Sequence, residues 1–412
     1  MTSKQRVVVI GGGMAAARLA RRLGDGPGAA RYAVTVLGEE PHAPYNRVLL
    51  AEVLAGRYAP EVIALPAVPG ARWLSGVRAV RVDRADRRVH CADGRSLPYD
   101  VLVLATGSNP VLPPLRGLFT PGADGLPRGV HPFRTLDDCR ALAAAGGRRA
   151  VVIGGGLLGV SAARALAGRG AQVVLAHQGE HLMERQLDPE AGALLRSYLQ
   201  QLGVEVHTEC RVRGLRTEDG AVRAVELADG YALDADLVVL ACGVRPRTGL
   251  AAAAGLTVRR GVVVDDALRT DDPRVFAIGD CAEHDGVTYG LAGPALEQAD
   301  LLAARLLDDA ARGYRGTRAL TRLTLTGTGP GPGPAFDLAA FGEPAPAPGD
   351  DVVRLSDATR GAYRRVVVRG DRLVGGILLG DLGTVGALAR TWEGDEPLPA
   401  APVLHLLTNG GS

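Results

Sequence analysis

The chain has 412 residues, 47% of them hydrophobic, which is too long for one compact core and suits two or three domains. Its 47 basic and 45 acidic residues leave a formal charge of +2, so no global field draws it to nucleic acid or a membrane surface, and neither is expected as a partner. The five cysteines, Cys91, Cys139, Cys210, Cys242 and Cys281, form no Cys-x-x-Cys pair, which excludes a sequence-local redox disulfide and argues against an iron–sulfur cluster or cysteine-bound zinc; no metal site is expected.

Residues 1–6 lead almost at once into an apolar strand without the pattern of a signal sequence, and no apolar run approaches the roughly 18 residues that span a bilayer. A cytoplasmic location is expected. Val7, Val8, Val9 and Ile10 then run into Gly11-x-Gly13-x-x-Ala16. In such a turn the first glycine lets the chain reverse and the second lets backbone reach a pyrophosphate. The third small residue lets the next helix pack close, so that its N-terminal N–H groups face the phosphates. A helix over 15–23 and a strand over 33–37 follow. Glu39 comes directly after that strand, where an acid grips a ribose hydroxyl; the spacing favours this over a merely solvated carboxylate.

Residues 72–104 alternate apolar and polar positions around turns such as Ala92-Asp93-Gly94, predicting a hairpin-like excursion. They end in a buried strand that stops at Ala105-Thr106-Gly107. A Pro/Gly-rich link over about 110–127 precedes a second fingerprint, Gly154-x-Gly156-x-x-Gly159, after Val151, Val152 and Ile153. Met14 and Leu157, the residues just past each second glycine, are placed with the two turns. The second unit repeats the first: a helix over 160–168, a strand over 172–176, a helix over 189–202, and an apolar strand closing on Ala241-Cys242-Gly243.

Asp280 follows Ile278-Gly279 at the end of a further buried strand, a poor place for an acid unless it accepts hydrogen bonds. It reads either as a cap for the next segment or as a carboxylate for a cofactor hydroxyl, and the two roles are compatible. A helix over 295–307, a low-complexity linker over 326–334, and short strands near 352–355, 364–368 and 374–379 complete the chain as a small α+β domain.

The segment from Glu39 to Leu50, the Ala105-Thr106-Gly107 turn and the segment from Thr270 to Cys281 resemble the FAD part of pyridine-nucleotide-dependent flavoprotein reductases. Residues 133–138, 181–188, 243–247 and 289–291 carry the likeness further. It is closest to the flavin module of assimilatory nitrite reductase large subunits and to the electron-transfer subunit of assimilatory nitrate reductase. The resemblance implies an α/β fold of two Rossmann-like dinucleotide-binding domains, the FAD domain (1–117 and 244–316) being interrupted by the NAD(P)H domain (118–243), with a C-terminal domain over 317–412.

Carried over residue by residue, the resemblance implies that Gly11, Gly13 and Ala16 hold the FAD pyrophosphate and Glu39 its ribose, with Arg47 pairing with phosphate. Thr106 and Gly107 line the FAD, Asp280 binds the ribityl chain, and Glu297 with Gln298 begins a helix facing the isoalloxazine. Gly154, Gly156 and Gly159 hold NAD(P)H, and His177 and Gly243 belong to that site. No catalytic side chain is implied, because hydride passes directly from nicotinamide to flavin.

Three departures stand out. Ser161 replaces a glutamate that contacts the nicotinamide amide, and Glu52 replaces a lysine that related ferredoxin reductases carry near the flavin. Large nitrite reductase subunits also continue into iron–sulfur and sirohaem domains, whereas this chain ends first. Electrons are therefore expected to leave to a separate acceptor protein. At the end of strand 172–176, His177 and Gln178 replace the acid of NAD-specific sites, so NADPH is expected to serve at least as well as NADH, with Arg185 a candidate phosphate partner. Two other readings stay open: a flavin oxidoreductase of specialised metabolism acting on a small substrate or oxygen, and an NAD(P)H-sensing flavoprotein with little turnover.

Overall fold

A computed structural model describes residues 4–119, 125–146, 148–308, 312–327, 335–357, 359–398 and 407. The chain divides into two compact units, one of residues up to 49, 58–109 and 244–317, the other of 50–57, 110–243 and 318 onward.

In the first unit a five-stranded sheet runs in the order Val275–Ala277, Val101–Leu104, Gln5–Ile10, Tyr32–Gly38, Arg72–Ser75, with every pairing parallel. Strands of this kind are covered on both faces, which is why residues 7–10 and 101–104 read as unbroken apolar runs. Val7, Val9, Val36, Leu102 and Val103 are fully buried. Ile10 lies opposite both Leu37 and Leu104, so the three central strands end level and their turns open on one edge. In an open α/β sheet that carboxyl edge is where ligands bind.

The excursion after the second strand differs from its prediction. Only Ala79–Asp83, Arg88–Cys91 and Ser96–Pro98 form the antiparallel sheet, while Arg72–Ser75 joins the parallel one as an edge strand. The last helix of this unit, Ala292–Leu307, begins about a turn earlier than 295. Pro294 falls in its first turn, where a missing N–H costs nothing. Arg18 and Arg22 of the Met14–Gly24 helix both bond Asp300 of this helix.

The second unit repeats the arrangement in the order Val204–His207, Gln172–Ala176, Arg149–Ile153, Leu237–Leu240, Val130–Pro132, again all parallel. Ile153 lies opposite Ala176 and Leu240, level as in the first unit. The C-terminal part is an antiparallel sheet in the order Thr321–Leu325, Phe336–Gly342, Arg372–Leu379, Ala362–Arg369, Asp351–Asp357. Val385, Leu388 and Trp392 of the Val385–Gly394 helix are buried with Phe341, Val366 and Leu378 of this sheet. The α/β class with two Rossmann-type sheets and a small α+β C-terminal part is thus the one expected. The sequence reading misses Thr321–Leu325 and Phe336–Gly342. Residues 328–334 of its linker and 120–124 of its Pro/Gly-rich link lie outside the described residues.

Candidate functional site

The first glycine turn is built by close backbone approach. Gly11 has φ +121°, and a side chain there would collide with the Ala105 carbonyl of the neighbouring strand. Only glycine serves both demands. Gly13 is the N-cap of the Met14–Gly24 helix and gives it no side-chain cap, so the first-turn N–H groups stay open to an anion; Ala16 is fully buried, which lets the helix pack close. Arg47 stands beside this N-terminus, its Nε 3.9 Å from where a Gly13 Cβ would be. It ion-pairs with Glu40, which also accepts the Tyr45 hydroxyl at 2.6 Å, and its guanidinium lies 4.9 Å from the Tyr45 ring centre.

The same sheet edge gathers Glu39, Thr106 and Gly107 around Arg247. Arg247 Nη1 meets Glu39 Oε2 at 2.5 Å and its Nε donates to Asn109 Oδ1 at 2.7 Å. Its backbone N–H donates to Gly107 O at 2.9 Å, and the Thr106 hydroxyl donates to its carbonyl at 2.7 Å. Sequence reasoning passed over Arg247. The one signal for it was its place at the end of the Gly243–Arg247 segment.

Asp280 lies in the short 3-10 turn Gly279–Cys281 and accepts the Ser108 hydroxyl at 2.8 Å. Asp280 sits inside this turn, whose N-cap is Ile278. Glu297 and Gln298 do not begin a helix, because the helix starts at Ala292 and they fall in its second turn. Gln298 is 1% exposed and spends its amide on Gly279 N–H (2.7 Å) and the Tyr314 hydroxyl (3.2 Å).

In the second unit Gly154 has φ +113° against the Ala241 carbonyl, and a side chain on Gly159 would collide with the Gly154 carbonyl. Gly156 caps the Leu157–Gly168 helix without a side-chain bond, and a Cβ on it would meet nothing within 4 Å. Gly243, at φ +97°, accepts Val111 N–H at 2.9 Å. Ser161 is buried, 7% exposed. His177 is not a solvated surface residue: its Nδ1 accepts Gly155 N–H at 3.2 Å, and burial pushes its pKa down, so the ring is neutral.

One turn beyond Ser161, Arg164 is 1% exposed and ion-paired with Glu52, which Arg57 also approaches at 3.5 Å. The acid at the expected lysine position is therefore committed to two arginines. All five cysteines are free, and burial is the first cause that pushes each thiol up, to about 11 for Cys139 and Cys242. None has the lowered pKa of a reactive thiolate.

Two parallel sheets, each with a glycine turn opening an uncapped helix at its carboxyl edge, define an α/β protein of the Rossmann type in duplicate. Residues 5–299 match the pyridine nucleotide-disulphide oxidoreductase family, and residues 335–391 match the rubredoxin NAD+ reductase C-terminal domain. The chain belongs to the pyridine nucleotide-disulphide oxidoreductase family, whose members bind FAD and use NAD(P)H. It is 36% identical to nitrite reductase [NAD(P)H] of Bacillus subtilis (strain 168) over 92% of this chain and 46% of that one. To the assimilatory nitrate reductase electron transfer subunit of the same organism it is 34% identical, over 92% of this chain and 48% of the other. The chain spans about half the length of the curated relatives it matches first. Among solved structures, the ferredoxin reductase for the CYP199A2 system from Rhodopseudomonas palustris superposes with a TM-score of 0.82 at 27% identity, covering 96% of both chains. The putidaredoxin reductase in its covalent complex with putidaredoxin gives 0.83 at 26% identity, over 98% of this chain and 99% of that one. Among the described residues no helix is long and apolar enough to cross a membrane.

Proposed function

We propose that the chain is an FAD-dependent NAD(P)H oxidoreductase that passes electrons to a separate acceptor protein. The observation that carries this reading is the pair of glycine turns, each opening a helix of 11 or 12 residues whose first N–H groups no side chain caps. Open space over Gly156, and only Arg47 near Gly13, leaves room at both turns for a pyrophosphate, so the residues fit two dinucleotides.

In this reading residues 1–117 and 244–316 form the FAD domain, 118–243 the NAD(P)H domain and 317–412 the C-terminal domain. Gly11, Gly13, Met14 and Ala16 hold one pyrophosphate with Arg47 beside it. Glu39, oriented by Arg247, receives the ribose. Thr106, Gly107 and Asp280 line the flavin side, with Glu297 and Gln298 on the adjoining helix. Gly154, Gly156, Leu157 and Gly159 hold the nicotinamide nucleotide, with Ser161, His177 and Gly243 around them. Bound FAD supplies a group that takes two electrons as hydride and can release them singly. The chain's own residues bind and orient, and none is assigned as a proton donor or acceptor.

Relatives named as ferredoxin reductases and as a nitrate reductase electron transfer subunit support a protein acceptor, such as a ferredoxin, a rubredoxin or a nitrite or nitrate reductase component. A cytoplasmic location completes the reading, and five free thiols suit a reducing compartment. Steady-state oxidation of NADH and NADPH tests it, with ferricyanide, a ferredoxin, a rubredoxin and oxygen as alternative acceptors. Turnover with a protein acceptor supports the reading. Turnover with oxygen or a small substrate alone, or none with any acceptor, contradicts it.

A further inference from the structure

The residues at the end of the Gln172–Ala176 strand are not acidic, yet the chain brings a carboxylate back to that place. Met183 adopts φ +55°, a conformation that costs a non-glycine residue energy, and its N–H donates to Gly155 O at 2.9 Å. This bond pins the 181–184 loop onto the second glycine turn. Glu184, the next residue, then folds over Gly179: its Oε1 accepts Glu180 N–H at 2.8 Å, and any side chain on Gly179 would collide with both carboxylate oxygens. Its Oε2 lies 3.9 Å from His177 Nε2.

His177 completes the arrangement from behind. Because Nδ1 accepts the Gly155 N–H, the ring proton resides on Nε2, which is buried beside the His181 backbone and lies 3.9 Å from Glu184 Oε2. The Glu184 side chain itself is 43% exposed. Glycine turn, imidazole and carboxylate therefore form one continuous series, in which the carboxylate is more exposed than the imidazole.

We infer that Glu184 is the acid that receives the adenosine ribose hydroxyls of the nucleotide bound at the second glycine turn, and that it makes this site select NADH over NADPH. The inference rests on the dinucleotide reading proposed above. A ribose 2′-hydroxyl donates to a carboxylate, whereas a 2′-phosphate has no proton to offer at neutral pH and is repelled by it. Strand-end composition alone leaves the 2′-phosphate unopposed; the folded-back loop reverses that expectation. His177 acts here as a positioning residue for Glu184.

The test is calorimetric titration of the holoprotein with NAD+ and with NADP+, alongside kcat/KM for NADH and NADPH, in wild type, Glu184→Gln, Gly179→Ala and Arg185→Ala. Glu184→Gln is isosteric at an exposed position and preserves an acceptor for Glu180 N–H, so it keeps the fold. Wild type is expected to favour NAD+ by about tenfold or more, and Glu184→Gln to bring the two within about threefold, mainly by improving NADP+. Gly179→Ala, which displaces the carboxylate, moves the ratio the same way. Equal binding in wild type, an unchanged ratio in Glu184→Gln, or an NADP+ preference that Arg185→Ala removes overturns the inference while leaving the dinucleotide reading intact. A wild type that binds neither nucleotide overturns the dinucleotide reading and the inference with it.

Discussion

The side-chain oxygen of Gln298 accepts the Gly279 N–H at 2.7 Å, so a buried side chain in one helix fixes the turn that carries Asp280. Ser108 holds Asp280 from the other side at 2.8 Å. An acid oriented in this way before any ligand arrives is suited to accept a hydroxyl. Asp280→Ala is expected to weaken FAD binding about tenfold or more, since a hydrogen bond to a charged acceptor contributes roughly 1.5–3 kcal/mol. Flavin content after exhaustive ultrafiltration measures this. Unchanged occupancy would remove Asp280 from the site.

Glu52 does not stand as a lysine substitute awaiting reversion. Its carboxylate is paired with Arg164, which is 1% exposed and whose Nε has no partner, and breaking a buried pair from one side costs about 3–5 kcal/mol. Glu52→Lys is therefore expected to lower the melting temperature sharply by facing Arg164 and Arg57 with a third cation. The double variant Glu52→Gln with Arg164→Met should recover most of the loss seen in Glu52→Gln alone. Equal melting temperatures for wild type and Glu52→Lys would show that the pair contributes nothing.

Asp188 links the second unit's helix to its C-terminal sheet. It caps the Pro189–Gln201 helix through Ala191 N–H (2.9 Å), accepts the Tyr363 hydroxyl at 2.6 Å, and pairs with Arg365. Burial alone would raise its pKa, but these bonds outweigh burial and hold it below the ordinary carboxylate value. A depressed folded pKa gives stability that is fully present above the unfolded pKa of about 3.9 and is lost as the pH falls through the folded value. The melting-temperature advantage of wild type over Asp188→Asn should thus be constant from pH 7 to about 5 and shrink on further acidification. A gap that widens in acid would contradict the assignment.

Ser161 stands where the family resemblance implies a glutamate. The residue is 7% exposed, so a glutamate there needs a partner, and the unpartnered Nε of Arg164 lies three residues on along the same helix. Ser161→Glu is expected to speed single-turnover flavin reduction by roughly tenfold, about 1.4 kcal/mol, with flavin content and melting temperature unchanged. Stopped-flow reduction at saturating nucleotide checks it. A slower variant with an intact fold would place Ser161 in a differently arranged site and favour direct action on a small substrate.

Both glycine turns and the two parallel sheets were legible because apolar runs, small residues and strand-end acids are local signals. The capping pair Thr135 and Asp138, which starts the Leu136–Ala145 helix, was equally local but was read only as part of a motif. What stayed hidden depends on distant partners. Arg247 gathers Glu39, Thr106 and Gly107, which follow strands more than a hundred residues away, and its place in the Gly243–Arg247 segment does not announce those partners. Glu184 returns to a strand end only because Met183 accepts a positive φ and Gly179 leaves room. The buried amide of Gln298 holds Gly279 and Tyr314, a pairing that no local signal shows.

In the proposed function one chain holds FAD and a nicotinamide nucleotide and joins them in a redox reaction. Anaerobic titration of the purified protein with NADH, followed at the visible flavin absorbance, tests it most directly. The expected result is a yellow protein that releases FAD on denaturation and whose absorbance bleaches in proportion to added NADH until about one equivalent per flavin has been consumed. A colourless protein that cannot be reconstituted with FAD, or a bound flavin that neither NADH nor NADPH reduces, would contradict it.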